Sequence, residues 1–112
     1  MSDRMRRVDE AVREVLGESV QQLKDPRIGF VTVTDVDTSA DLSQARVYVS
    51  LLGTPDERAA SLEGLNSAHG VMQRAVATQL RLKRTPALTF VEDSTARRAA
   101  RVDELLSRDA EA

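Results

Sequence analysis

Apolar residues in the N-terminal part of the chain recur at the spacing of an amphipathic helix. The stripe consists of Met5, Val8, Val12, Val15, Leu16, Val20 and Leu23. Intervals of three and four residues place such side chains on one helical face. Ser2 or Asp3 can cap the start, and Pro26 disfavours helical geometry in the residue before it. The pattern predicts a first helix from Asp3 to Leu23.

Alternating apolar and polar positions then predict β-strands. Ile28 to Val36 is rich in β-branched residues, and Leu42 to Leu52 alternates in the same way. Turn-forming residues at 37–41 separate the two, and such a short connection implies an antiparallel pair. A third strand is predicted from Ala87 to Val91, because Pro86 can stand at the start of a strand without losing a ladder bond.

A long helical stretch, interrupted near its middle, lies between the second and third strands. Thr54, Pro55 and Glu57 match a capped helix start. Two apolar sets follow at helical spacing: Ala59, Leu62, Leu65 and Ala68, then Met72, Ala75, Val76 and Leu80. One helix from Thr54 to Leu82 would be unusually long, and Gly70 would cost about 1 kcal/mol in its interior. We therefore predict two helices that meet at a bend around residues 67–70.

The predicted element order is α-β-β-α-α-β. A short C-terminal helix is suggested by Ala99, Val102, Leu105 and Leu106, after an entry at residues 92–95. Because the helix pair connects the second and third strands, both helices are expected on one face of a three-stranded sheet, beside the first helix. The 112 residues are predicted to form a single two-layer α+β domain, residues 1–112.

Composition argues against several classes of function. The chain has no cysteine and one histidine, His69, and its five glycines are scattered. Thiol chemistry, a multi-ligand metal site and a phosphate-binding glycine loop therefore lack their residues, so we expect neither catalysis nor a cofactor. No apolar run has membrane-spanning length, and the N-terminus does not resemble a secretion signal, so a cytoplasmic protein is expected.

The distribution of charge is more informative than the net charge of −2. No acidic residue lies between Glu63 and Glu92, and this interval contains Arg74, Arg81, Lys83 and Arg84. These four are the first candidate phosphate contacts. A second candidate group comprises Arg4, Arg6, Arg7 and Arg27. From charge alone, ordinary solvated surface is an equally good interpretation.

Aromatic residues are few: Phe30, Tyr48 and Phe90. Phe30 and Phe90 are expected in the core, which leaves no platform for stacking nucleobases. A nucleic acid would then be held mainly through phosphates and shape. His69, at the predicted bend, could contact a phosphate or a base, although an exposed residue without a special role is the simpler interpretation.

An ordered set of short motifs resembles bacterial ribosome-binding factor A. The first half contains Lys24-Asp25-Pro26-Arg27, Val31-Thr32-Val33-Thr34, Ser39 with Asp41-Leu42 and Ala45, and Val47-Tyr48-Val49-Ser50. In the second half, Ala68-His69-Gly70 is similar to the family's Ala-x-Gly helix kink. Leu80-Arg81-Leu82-Lys83 then leads to Pro86, Leu88, Phe90, Asp93 and Ser94. The similarity extends from about Arg4 to Leu106, although Ala87 stands where the family often has an acid.

The resemblance implies a type II KH-like fold whose usual Gly-x-x-Gly loop is replaced by the interrupted helix pair. It implies a factor that binds the free small (30S) ribosomal subunit and assists late maturation of 16S rRNA, including its 5′ end, with a role in the cold. No catalytic residue, cofactor, small-molecule substrate or membrane is implied, and a monomer is expected. Ala68, His69 and Gly70 are expected to shape the RNA-binding surface.

Two alternatives from other classes of function stay open at this point. A general KH-type RNA-binding module is disfavoured because the Gly-x-x-Gly loop is absent. A protein–protein adaptor would use an exposed sheet edge or the first helix, and its binding would be insensitive to salt.

Overall fold

The predicted order of helices and strands is confirmed by the computed structural model, which describes residues 2–94, 97, 99–100 and 103–106. The elements are α1 (Asp3–Val20), β1 (Val31–Thr38), β2 (Gln44–Leu51), α2 (Pro55–Ser67), α3 (His69–Gln79) and β3 (Ala87–Glu92). The described residues at 97, 99–100 and 103–106 are helical, where the short C-terminal helix was expected. Two residues of that prediction, Thr95 and Val102, lie outside the described residues.

The three strands form one sheet in the order β1-β2-β3. β1 and β2 are antiparallel, as predicted, while β3 runs parallel to β2. A parallel neighbour requires a long crossover, which α2 and α3 supply. The β1–β2 register shifts between Val33 and Asp35, so that Val33 and Val36 are both buried on the helical side despite their odd spacing.

Helices cover one face of the sheet and enclose the core. The stripe predicted on α1 contributes Val12, Val15, Leu16 and Val20. α2 and α3 contribute Leu65, Met72 and Val76, and the sheet contributes residues such as Val47, Val49 and Phe90. Two-layer α+β packing of the predicted kind is confirmed, because each element buries one apolar face against the same core.

Several predicted boundaries were wrong by a few residues, and side-chain contacts explain the shifts. α1 ends at Val20 rather than Leu23, and Gln21 Nε2 donates instead to the Val31 carbonyl at 3.1 Å. Residues 28–30 are not part of β1, because the Gly29 amide donates to Ser61 Oγ on α2 at 3.0 Å.

The expectation that Phe30 lies in the core is wrong. Phe30 immediately precedes β1, and 80% of its surface is exposed. The alternation of the strand explains this position, since the next residue, Val31, turns its side chain into the core. Phe90 is buried, as expected.

The bend between α2 and α3 lies in the predicted interval, but Gly70 does not form it. Ala68 is the single residue between the helices, with φ −91° and ψ 9°. Gly70 lies inside α3, and a Cβ there would meet nothing within 4 Å. The glycine that packing requires is Gly64, where a Cβ would lie 2.7 Å from Ile28 Cγ1.

Amide side chains cover the outer edge of β3. Asn66 Nδ2 donates to the Phe90 carbonyl at 3.1 Å, and the Phe90 amide donates to Asn66 Oδ1 at 2.9 Å. The Leu88 amide donates to Gln73 Oε1 at 3.3 Å. These contacts occupy groups that an added strand would need, which disfavours an adaptor that uses this edge.

Candidate nucleic-acid interface

Three segments that are distant in sequence meet in an open groove of about 670 Å³. They are the start of α1, the β1–β2 turn and the loop between α3 and β3. The lining residues are Ser2, Arg4, Met5, Ala40, Asp41, Leu42, Lys83 and Arg84. We call this feature the cationic groove, because three of its residues are basic.

The β1–β2 turn that forms one wall is held by its own side chains. Asp41 Oδ1 accepts from Ser39 Oγ at 2.8 Å, from Ser43 Oγ at 2.7 Å and from the Ser43 amide at 3.0 Å. Leu42 was predicted to begin β2, but it lies in the turn with φ 61°. Its buried side chain anchors this left-handed conformation, which is uncommon for a residue other than glycine.

The α3–β3 loop is attached to the same turn. α3 ends at Gln79, so Arg81, Lys83 and Arg84 lie in the loop that follows this helix. Pro86 is fully buried, and the Ala87 amide donates to the Ser43 carbonyl at 3.0 Å. These two anchors hold the loop beside the turn, and the loop carries Lys83 and Arg84 into the groove.

The groove provides positive charge that is available for a ligand. Within the described part of the chain, Arg4, Lys83 and Arg84 have no carboxylate within ion-pair distance. Asp41 is the groove's carboxylate, and the Ser43 hydroxyl and amide, with Ser39 and the nearby positive charge of Arg84, lower its pKa to about 2. Its Oδ1 is already occupied by three donors. The amide dipoles at the start of α1 add positive potential.

The other predicted cations are placed elsewhere. Arg6 contacts Asp3 at 3.9 Å and lines a second groove that also contains Asp9, Glu10 and Asp37. Arg7 and Arg74 are located on α1 and α3, and Arg81 is exposed in the loop that carries Lys83. The structure therefore brings together Arg4, Lys83 and Arg84, from both predicted groups, and separates Arg4 from Arg6.

Arg27 is engaged in a local ion-pair network. Its Nη2 lies 2.6 Å from Asp25 Oδ2, and its Nη1 lies 3.5 Å from Glu63 Oε1. The Arg27 guanidinium holds the pKa of Asp25 down at about 2, so the pair stays charged across the physiological range. An added phosphate would compete with two carboxylates for this guanidinium.

His69 has a structural partner at the bend. Its Nδ1 lies 2.7 Å from the Asn66 carbonyl, and because a carbonyl can only accept, Nδ1 carries the proton. The ring thereby donates to a carbonyl in the last turn of α2, beside the bend. Ala68 sets the bend and Gly70 follows it, so these three residues shape the helix pair without lining the cationic groove.

One cluster was not anticipated from the sequence. Arg97 Nη2 lies 2.7 Å from Asp35 Oδ2, Nη1 lies 3.2 Å from Asp93 Oδ1, and its Cζ lies 3.4 Å from the centroid of the Tyr48 ring. Thr34 Oγ1 also donates to the buried Asp93 at 2.6 Å. These contacts attach the C-terminal helical residues to the sheet. The four-residue spacing of Asp93 and Arg97 was the available signal, but their partners on β1 and β2 depend on the fold.

The α-β-β-α-α-β order and the single-residue bend between α2 and α3 define a KH-like α+β fold. The sequence model of ribosome-binding factor A matches residues 4–106. The chain belongs to the ribosome-binding factor A family.

Individual relatives agree with this assignment. Ribosome-binding factor A of Roseiflexus sp. (strain RS-1) is 42% identical over 99% of this chain and 87% of its own length. The crystal structure of ribosome-binding factor A from Thermus thermophilus is similar with a TM-score of 0.71 and 30% identity, covering 79% of this chain and 94% of that one. A homology model of the Thermus thermophilus factor, fitted into the cryo-electron microscopy map of a 30S–RbfA complex, is similar with a TM-score of 0.63 and 31% identity, covering 74% and 88%.

Neither a membrane-spanning helix nor a metal-binding cluster is present among the described residues. No helix among them has the length and apolar character to cross a membrane. No group of three or more histidine or acidic side chains in the described ranges is arranged to hold a metal ion.

Proposed function

We propose that this chain binds the free small (30S) ribosomal subunit in the cytoplasm by holding phosphates of structured 16S rRNA in the cationic groove. Family membership and the relative fitted into a 30S complex support the small ribosomal subunit as the target. The convergence of Arg4, Lys83 and Arg84 on one groove carries the proposed mode of binding. We further propose that binding assists late maturation of 16S rRNA, including processing at its 5′ end, and supports growth in the cold.

The groove fits a phosphate backbone better than a base edge. Its basic side chains come from two segments, the start of α1 and the α3–β3 loop, and none of the described residues that line it is aromatic. Helical RNA presents its phosphates at the surface, and proteins recognise it largely by shape and phosphate contacts. Binding through this groove would therefore select a folded arrangement of rRNA strands, with little preference for sequence.

A binding protein can assist maturation without catalysing a reaction. A ligand that binds one conformer more tightly raises its population, by an amount set by the difference in affinity. A factor that prefers a nearly mature arrangement of 16S rRNA would increase the fraction of particles on which a nuclease can act. Cold would increase the need for such a factor, because low temperature stabilises misfolded base pairing.

Co-sedimentation with purified small subunits, large subunits and intact ribosomes over a salt series tests the binding proposal. The wild-type chain should be retained on free small subunits, and retention should fall steeply with salt. The Lys83→Glu/Arg84→Glu variant should bind more weakly and lower the slope of log affinity against log salt by roughly one per lost contact. Both residues are exposed, so the melting temperature should change little.

Arg13→Glu is the control, and its change in net charge equals that of the single variant Arg84→Glu. Arg13 is exposed on α1, but it lines the second groove rather than the cationic groove. If Arg13→Glu weakens binding as much as Arg84→Glu, net charge rather than the groove controls binding. Failure of the wild-type chain to bind small subunits would overturn the proposed function itself.

The maturation proposal has a separate readout. Cells in which this protein is depleted should accumulate 16S rRNA with an unprocessed 5′ end, more strongly in the cold. The wild-type chain and Arg13→Glu should restore processing, whereas the groove variant should not. Normal 5′ ends in depleted cells at low temperature would refute this part of the proposal.

A further inference from the structure

Two large apolar side chains are exposed next to each other at the end of the hairpin remote from the cationic groove. Phe30 is 80% exposed and Leu52 is 67% exposed. The Leu52 amide donates to the Phe30 carbonyl at 3.3 Å, so the two residues continue the ladder one step beyond the buried pair Val31 and Leu51. We call them the Phe30–Leu52 pair. In the described part of the chain, Tyr48 is covered by Arg97 and Phe90 is buried, which leaves Phe30 as the accessible aromatic ring.

The chain on either side of the Phe30–Leu52 pair is held in place. Before it, Ser61 Oγ accepts from the Gly29 amide at 3.0 Å and donates to the Arg27 carbonyl at 3.3 Å. After it, Arg58 Nη1 donates to the Gly53 carbonyl at 3.1 Å. A ring presented from a fixed backbone loses little conformational entropy on binding, and aromatic anchors of this kind dominate the affinity of many protein interfaces.

The charges around the Phe30–Leu52 pair are unfavourable for RNA. The flanking segments and the adjacent end of β3 carry the carboxylates Asp25, Asp56, Glu57, Glu63 and Glu92 and the cations Lys24, Arg27 and Arg58. Arg27 is paired with Asp25 and Glu63, and Arg58 with Glu92 at 3.0 Å. Among these described residues the carboxylates outnumber the cations, so this end of the hairpin would repel a phosphate backbone.

The two ends of the hairpin thus have opposite character. β1 separates them, and its eight residues span roughly 26 Å at about 3.3 Å per residue. One end presents Arg4, Lys83 and Arg84, and the other presents an apolar pair bordered by acids. A negative rim around an apolar anchor is complementary to a basic protein surface that offers an apolar side chain or pocket.

We propose that the Phe30–Leu52 pair and its acidic border form a docking surface for a basic protein of the particle that the cationic groove binds. The chain would then bridge two components of that particle, RNA at one end of the hairpin and protein at the other. This inference rests on the proposed binding to the small subunit, and it adds a second contact of a different chemical class.

The test compares two probes: purified small subunits and a protein-free 16S rRNA transcript. The Phe30→Ser/Leu52→Ser variant should bind subunits at least about 5-fold more weakly, because truncating an interface residue that contributes to affinity costs more than about 1 kcal/mol. Its affinity for the transcript should equal that of the wild-type chain. Asp56→Lys, at an exposed carboxylate of the border, should also weaken subunit binding without weakening transcript binding.

Leu106→Ser is the control for loss of an exposed apolar side chain, because Leu106 is 60% exposed and belongs to the C-terminal helical residues, which contact the sheet through Arg97 and Asp35 rather than at the Phe30–Leu52 pair. It should leave both affinities unchanged. Melting temperatures should show that all variants are folded, since each altered side chain is exposed.

The other outcomes would overturn the inference. Equal losses on subunits and transcript would mean that Phe30 stacks on a nucleobase. Unchanged affinity for both probes would mean that the pair contacts nothing on the particle. If the wild-type chain bound neither probe, the proposed function itself would be wrong. The wild-type measurement would show this before any variant is compared.

Discussion

The side chain of Asn66 takes the place of a neighbouring strand along the outer edge of β3. It accepts from the Phe90 amide at 2.9 Å and donates to the Phe90 carbonyl at 3.1 Å. The Phe90 side chain is in the core, so its backbone has limited access to water. Asn66→Ala would leave both backbone groups without a protein partner.

The expected loss of stability follows from these two bonds. A backbone group that loses its partner costs about 1–3 kcal/mol when it is buried, and less when water can reach it. Both bonds are only partly buried, and alanine recovers roughly 0.5 kcal/mol in helix propensity. We expect the free energy of unfolding to fall by about 2–3 kcal/mol, which lowers the urea midpoint by roughly 1–2 M.

Urea unfolding followed by circular dichroism measures this change, with two matched controls. Gln73→Ala removes the single 3.3 Å bond to the Leu88 amide and should cost about 0.5–1 kcal/mol. Gln79→Ala, at an exposed position at the end of α3, should be nearly neutral. Hydrogen exchange at the Phe90 amide should accelerate in Asn66→Ala. A loss below about 0.5 kcal/mol, or a larger loss for Gln73→Ala, would refute the edge-covering role.

Two further predictions concern the substitution of two glycines and the dependence of stability on pH. Gly70→Ala should raise the free energy of unfolding by up to about 1 kcal/mol, because Gly70 is helical with open space around it. Gly64→Ala should instead lower the free energy of unfolding by about 1–3 kcal/mol, because the added Cβ would contact Ile28. Thermal unfolding of both variants measures these changes, and destabilisation by Gly70→Ala would show that the bend requires Gly70. The pKa of Asp25 is depressed to about 2, below the value near 3.9 typical of an unfolded chain, so its ion pair stabilises the fold fully above about pH 4 and loses this effect as the pH falls toward 2. The stability difference between the wild-type chain and Asp25→Asn should therefore shrink between pH 4 and pH 2, and a difference that is constant over this range would contradict the assignment.

Local sequence patterns were sufficient to predict the helices and strands. The α1 stripe, the Thr54 capping box and the strand alternation each depend on residues within a few positions of one another, so they can be recognised before folding. The capping box is formed as expected, with Thr54 Oγ1 accepting from the Glu57 amide at 3.2 Å. Element boundaries were less accurate, because contacts with distant residues such as Ser61 decide where β1 begins.

For the candidate site, too, the sequence identified individual residues, and only the structure showed which of them lie together. Charge along the chain identified Arg4, Lys83 and Arg84 among the candidates, but it grouped Arg4 with Arg6, which lies in a different groove. Whether a cation is available depends on its neighbours in space, as the pairing of Arg27 with Glu63 shows. Phe30 was misassigned for a related reason, since hydrophobicity alone does not say which side of a sheet a residue faces.

Pattern and composition were thus enough to establish the order of elements, the helix starts, the apolar stripes and the absence of cysteine chemistry, because these properties are local or compositional. Folding in three dimensions settled which cations converge, which glycine packing requires, what covers the edge of β3 and which aromatic ring stays exposed. Each of these depends on contacts between residues tens of positions apart, such as Asn66 with Phe90 and Ser43 with Ala87. Such contacts exist only after the crossover from β2 through α2 and α3 has placed β3 beside β2.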